Sequence, residues 1–264
     1  MAVMDPDHEA AARIALTATR EQGFALAGGH ALTMHGIGSR PSKDVDIFTD
    51  QQTDFDSAVG NVRSAFEEQG YDVEVPRRSE EYARLEVTKD GRTTQLDMGR
   101  DYRSRPAVES DVGPVLSVDD AVGSKVGAAY GRGEAKDFVD LQAAAQDGRY
   151  SRDELLALGD EREGSPMDRP MFAEQLASAA RIPDAKYAEQ GLAPEQTAAL
   201  KQDLNGWAQD MRTRAEKPDL DNSMRLLHSG QARPGTAPAV ASTGEADRRH
   251  SPYEQSRGPN DLTR

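Results

Sequence analysis

The sequence predicts an α+β fold: a mixed sheet flanked by helices in the N-terminal part, a helical region after it, and a disordered tail. Three observations carry this. Short β-prone runs alternate with helical-period segments up to about residue 113. Beyond Pro114 only the helical period remains. From Ser229 onward large apolar side chains nearly vanish among Pro, Gly, Ala, Ser, Thr and Arg, so that stretch has little with which to build a core. The expected units are 1–113, 114–215 and 216–264.

The elements follow in order. Residues 6–22 form a helix with Ala11, Ile14, Leu16 and Ala18 as its apolar positions. Phe24 to Ala27 is a short buried strand ending at Gly28-Gly29, and a short helix begins near His30 and stops by Gly36. Val45, Ile47 and Phe48 mark a second strand. Phe55, Val59, Val62 and Phe66 give residues 54–69 a helical stripe, and Tyr71 to Val75 reads as a strand. Two β-prone runs, 81–89 and 92–98, flank Asp90-Gly91, a strong hairpin signal because both central positions of such a turn need positive φ. Ser117 with Asp120, and Ser151 with Glu154, predict capping boxes that open helices. The first of these runs to Tyr130, breaks at Gly131 to Gly133, and is followed by a helix from Glu134 to about Gln146. Phe172 and Leu176 belong to a further helix. Leu200, Leu204, Trp207 and Met211 form a core stripe on the last one.

Composition excludes several function classes. The 264 residues include no cysteine, which removes disulfides, thiolate zinc sites, iron–sulfur clusters and a cysteine nucleophile. A formal net charge of −14 argues against non-specific wrapping of nucleic acid, though not against a local basic site. Arg77-Arg78 and Arg100, Arg103 and Arg105 bracket the hairpin as the local basic density, either a guide for a polynucleotide or a solvated surface. No apolar run approaches the length of a membrane span, and the acidic N-terminus lacks the apolar stretch of a signal peptide; a cytoplasmic protein is expected.

The chemistry concentrates in residues 24–48. A strand running into Gly28-Gly29 and then a helix can cradle phosphate, because glycine lets backbone approach a ligand closely; it can equally be a tight turn. Asp44 and Asp46 share one face of their strand. Two adjacent carboxylates repel unless a cation lies between them, and hard oxygen ligands suit Mg²⁺; the rival is a solvent-facing acidic pair. Asp97, flanked by Leu96 and Met98, is a third carboxylate on a predicted strand. If that strand pairs beside Asp44–Phe48, the three converge into a site fit for two metals.

Gly28-Gly29, His35-Gly36, Arg40, Asp44-Val45-Asp46-Ile47, Leu96-Asp97 and the segment 118–141 together resemble the nucleotidyltransferase superfamily with the polymerase-beta type of fold. Within it the sequence is similar to the AbiEii/AbiGii toxins of type IV toxin–antitoxin systems. The resemblance implies that residues 1–113 are a nucleotidyltransferase domain and that 114–215 complete the nucleotide site. It implies Asp44, Asp46 and Asp97 as catalytic metal ligands, with Gly28, Gly29, Arg40, Lys125, Lys136 and Asp137 on the nucleotide. It further implies a two-metal Mg²⁺ site, an NTP substrate, an acceptor that is a tRNA or a protein, and a cognate antitoxin. The family's usual Gly-Ser pair is Gly28-Gly29 here, so one hydroxyl is missing. For Asp137 and Asp140 a helix–helix salt bridge is the alternative, for Arg40 a loop salt bridge, and for His35 a packed or capping role. The competing functions are a small-molecule nucleotidyltransferase of the antibiotic-modifying kind and a catalytically inactive nucleotide-binding module.

Overall fold

The computed structural model describes residues 4–216. Past the helical residue Glu216, the tail expected over 216–264 lies outside the described residues.

Helix α1 (Pro6–Ala18) is capped by Asp5, whose carboxylate accepts from the Asp7 N–H at 2.9 Å. Strand β1 (Ala25–Leu26) leads into helix α2 (Gly28–Met34), which starts two residues earlier than the sequence suggests. Strand β2 (Asp44–Thr49) and helix α3 (Phe55–Glu68) come next. Strands β3 (Asp72–Arg78), β4 (Tyr82–Lys89) and β5 (Arg92–Arg100) make a meander. Its tight turn is the predicted one: Asp90 has φ 52° and Gly91 φ 74°, the left-handed values such a hairpin turn requires. Strands β6 (Val108–Ser110) and β7 (Gly113–Val115), a second small hairpin, have no counterpart in the sequence reading.

The seven strands form one sheet in the order β3-β4-β5-β2-β1-β7-β6. β2 is parallel to β5 and antiparallel to β1, so the sheet is mixed, as the fold class anticipates. Helix α1 packs on the sheet and against α3. Val45, Ile47, Leu96 and Met98 are wholly buried in the core. Their strand neighbours Asp44, Asp46, Phe48 and Asp97 point to the other face, because side chains alternate along a strand.

The helical part comprises α4 (Val118–Gly131), α5 (Ala135–Gln146), α6 (Arg152–Glu163), α7 (Arg169–Ser178), α8 (Asp184–Ala188) and α9 (Pro194–Glu216). Tyr130, Phe172 and Trp207 stack edge to face, with centroids 5.7 and 6.2 Å apart. Each wholly buried aromatic or aliphatic side chain of this core contributes roughly 1.5–3 kcal/mol. The box at Ser151 forms on both sides. At Ser117 only half of it does. The hydroxyl accepts from the Asp120 N–H, while the Asp120 carboxylate accepts from the Ser104 and Arg105 N–H groups and so anchors the loop after β5. Among the described residues no helix is long and apolar enough to cross a membrane.

Candidate functional site

The parallel pairing of β2 with β5 sets Asp46 directly opposite Asp97 and Asp44 opposite Gln95. Asp44, Asp46 and Asp97 each offer a carboxylate oxygen, and these atoms all lie within 4.8 Å of one another. Burial, reinforced by the charges of Asp44 and Asp97, pushes the Asp46 carboxyl up to about 7. Its Oδ1 is buried without a hydrogen-bond partner. A crowded carboxylate with an orphaned oxygen is what a cation would relieve, and three hard oxygen donors fit Mg²⁺.

Asp97 is wholly buried, and Arg84 on β4 grips it from the side, Nε to Oδ1 at 2.8 Å and Nη2 to Oδ2 at 2.9 Å. Those hydrogen bonds raise the Arg84 pKa.

Gly28 and Gly29 lie against this cluster. Gly28 has φ +61°, and a Cβ there would fall 1.9 Å from Asp46 Oδ2. Only glycine permits both the backbone turn and the approach. At Gly29 a Cβ would fall 2.5 Å from Ser42 Oγ and 3.0 Å from Arg40 Nη2. The hydroxyl missing from residue 29 thus has a near substitute from the chain entering β2, and the Ser42 Oγ is itself buried without a partner.

One cavity of about 120 Å³ gathers Gly28, Gly29, Arg40, Asp44, Asp46, Lys125 and Lys136. Behind it stands Asp140 on α5. It binds Arg40 bidentately, at 2.6 and 2.8 Å, and Lys125 at 3.0 Å. One buried carboxylate therefore fixes two of the cations expected on the nucleotide. Burial works against the charge of Arg40, but the Asp140 bonds keep its pKa raised. The loop salt bridge proposed as a rival for Arg40 is real, and so is the helix–helix bridge for Asp140.

Asp137 is wholly buried and takes a different place from the other predicted residues. It holds Arg132, Nε to Oδ2 at 2.8 Å and Nη2 to Oδ1 at 2.5 Å, and accepts from the Glu134 N–H at 3.0 Å, capping α5. Burial opposes its charge, but the Arg132 bonds lower its pKa below the usual carboxylate value. His35 packs as well, its Nε2 2.7 Å from the Leu116 carbonyl. The arginines bracketing the hairpin are engaged: Arg78 with Asp56, Arg100 with Glu81, Arg103 with Asp50, and Arg105 with Asp119 and Glu161. That leaves little of the basic density as a free guide for a polynucleotide.

The sequence reading missed Ser42 and Arg84. Arg84 was within reach of it. The Asp90-Gly91 turn fixes the register of β4 on β5, and Arg84 and Asp97 are each the sixth residue out from that turn.

The profile of the nucleotidyl transferase AbiEii toxin family, of type IV toxin–antitoxin systems, matches residues 12–225. No curated protein matches the chain. Among solved structures, a candidate nucleotidyltransferase from H. pylori is similar with a TM-score of 0.51 at 19% identity, over 80% of this chain and 95% of that one. MenT4, a nucleotidyltransferase toxin from Mycobacterium tuberculosis H37Rv, is similar with a TM-score of 0.52 at 16% identity, over 83% of this chain and 92% of that one. At such identities the two structures show a shared fold.

Proposed function

The chain belongs to the AbiEii nucleotidyltransferase toxin family, and from that membership we propose that it is a Mg²⁺-dependent enzyme. It moves a nucleotide from an NTP to an acceptor hydroxyl, with pyrophosphate leaving, and acts as the toxin partnered by a cognate antitoxin. The observation that carries this reading is the orphaned Asp46 Oδ1 inside a cluster of three carboxylates, packed against two glycines whose missing side chains let Asp46, Ser42 and Arg40 close on the backbone.

Asp44, Asp46 and Asp97 would hold the metal. When bound, Mg²⁺ neutralises the triphosphate and the charge that develops on the leaving pyrophosphate. The chain's own groups do the rest. Gly28 and Gly29 let the phosphates approach the backbone. Arg40 and Lys125, fixed by Asp140, and Lys136 at the cavity wall bind the phosphate oxygens. Asp137 supports this rim through Arg132 and the start of α5. β5 lies on the opposite side of β2 from β1 and the glycines.

The test is transfer of label from α-labelled NTPs, with Mg²⁺, to total RNA or to the proteins of a lysate. Label on one acceptor class, lost when Mg²⁺ is chelated, supports the proposal and identifies the acceptor. Absence of transfer to RNA, protein and small-molecule fractions alike contradicts it.

A further inference from the structure

We propose that Phe48, with the Asp101–Arg162 pair, forms the nucleoside subsite of this cavity and takes the flat base of the nucleotide. The inference rests on the nucleotidyl-transfer reading above. The geometry starts from the order of groups along β2. Ala25 stands opposite Phe48 and Leu26 opposite Ile47, so the chain leaving β1 brings Gly28 and Gly29 toward Asp46 and Asp44. Arg40 adjoins Gly29. The phosphate-binding groups thus lie at the start of β2, the carboxylates in the middle and Phe48 toward the far end. From Asp44 to Phe48 the strand rises about 13 Å, enough to place a triphosphate at one end and a base at the other.

Phe48 shares the face of Asp44 and Asp46 yet is apolar. Val45 and Ile47 on the other face are wholly buried, whereas Phe48 is half-buried and lines the cavity. Gly99 pairs with it across β2 and β5, and a Cβ there would lie 3.1 Å from Phe48 Cδ1. The missing side chain lets the ring lie against β5. The same cavity is lined by Ser124, Gly127 and Ala128 of α4, which are short. Asp101 follows the end of β5, and its two oxygens accept from Arg162 Nη2 at 2.5 and 2.7 Å. Both residues line the same cavity. An aromatic plane beside a paired acceptor and donor is chemistry that recognises a nucleobase, stacking on its face and hydrogen-bonding at its edge.

The experiment is equilibrium binding to the full chain, with Mg²⁺ and no acceptor, of non-hydrolysable ribonucleoside triphosphates and of inorganic tripolyphosphate. Phe48→Ala is expected to weaken nucleotide binding about tenfold, leave tripolyphosphate unchanged, and be rescued by Phe48→Tyr. An equal loss for both ligands, or no rescue by tyrosine, makes the ring structural and overturns the subsite alone. Unchanged nucleotide binding with slower transfer puts the ring under the acceptor and also overturns it. If the wild-type chain binds neither ligand, the nucleotidyl-transfer reading falls, and the subsite with it.

Discussion

Asp46 and Asp97 face each other as register partners on adjacent parallel strands, and the two side chains are treated oppositely. Asp97 is neutralised by a bidentate arginine, whereas Asp46 keeps a buried oxygen with no partner. Strand pairing alone thus creates a repulsive contact that the protein leaves half relieved.

The first prediction follows from that imbalance. The folded Asp46 pKa, about 7, lies above its ordinary value of 3.8. Its ionisation therefore costs nothing below about pH 4, and the cost grows as pH rises toward 7. At pH 8 without metal, Asp46→Asn should melt several degrees higher than the wild type. Adding Mg²⁺ should raise the melting temperature of the wild type and leave the variant unmoved. A variant that melts lower, or gains equally from Mg²⁺, contradicts the cation site.

Asp140 gives a second test. Removing its charge leaves Arg40 and Lys125 without their shared partner in a buried place. Asp140→Asn should cost roughly 3 kcal/mol in urea unfolding and weaken NTP binding at least tenfold. Mg²⁺-induced stabilisation without nucleotide should persist. Unimpaired nucleotide binding by the folded variant would show that the two cations do not depend on Asp140.

Gly29 and Ser42 make a third. Installing the family's serine by Gly29→Ser places a Cβ 2.5 Å from the Ser42 hydroxyl, so the single variant should lose stability and transfer. Gly29→Ser combined with Ser42→Gly should recover both, since the two side chains compete for one space. Additive losses in the double variant would separate the residues.

His30, which feels the charge of Asp44, supplies a second pH dependence. It is 5% exposed, and its Nε2 lies 3.1 Å from His8 Nδ1. Burial, with the charge of His8, lowers its pKa from 6.5 to about 4. The depressed value means its contribution is complete above pH 6.5 and is lost as pH falls toward 4. Between pH 7 and 5 the wild type should lose about 2 kcal/mol more than His30→Gln. Urea unfolding at the two pH values measures this, and equal losses would contradict it.

Much of the frame was legible in the sequence because local chemistry dictated it. The Asp90-Gly91 turn, the alternation that puts Asp44 and Asp46 on one face, and the helical stripe ending at Met211 each follow from one periodicity or one backbone requirement. Asp97 was legible as an acid among apolar strand neighbours. Long-range partners were not. Asp140 reaches Arg40 across 100 residues of sequence, and no periodicity encodes which cation a helix carboxylate will meet. The β6–β7 hairpin escaped because two three-residue strands carry too little pattern. Ser42 escaped because its place beside Gly29 depends on how the loop before β2 folds back.

The most direct measurement of the central claim is the transfer rate of Asp46→Asn against wild type, on samples whose folded fraction is fixed by their melting curves. Asparagine keeps the shape and removes the charge. The account predicts a folded variant whose Mg²⁺-dependent nucleotide transfer falls roughly a thousandfold or more, with growth inhibition on expression lost in parallel. A folded Asp46→Asn protein that retains full transfer and full toxicity would contradict it.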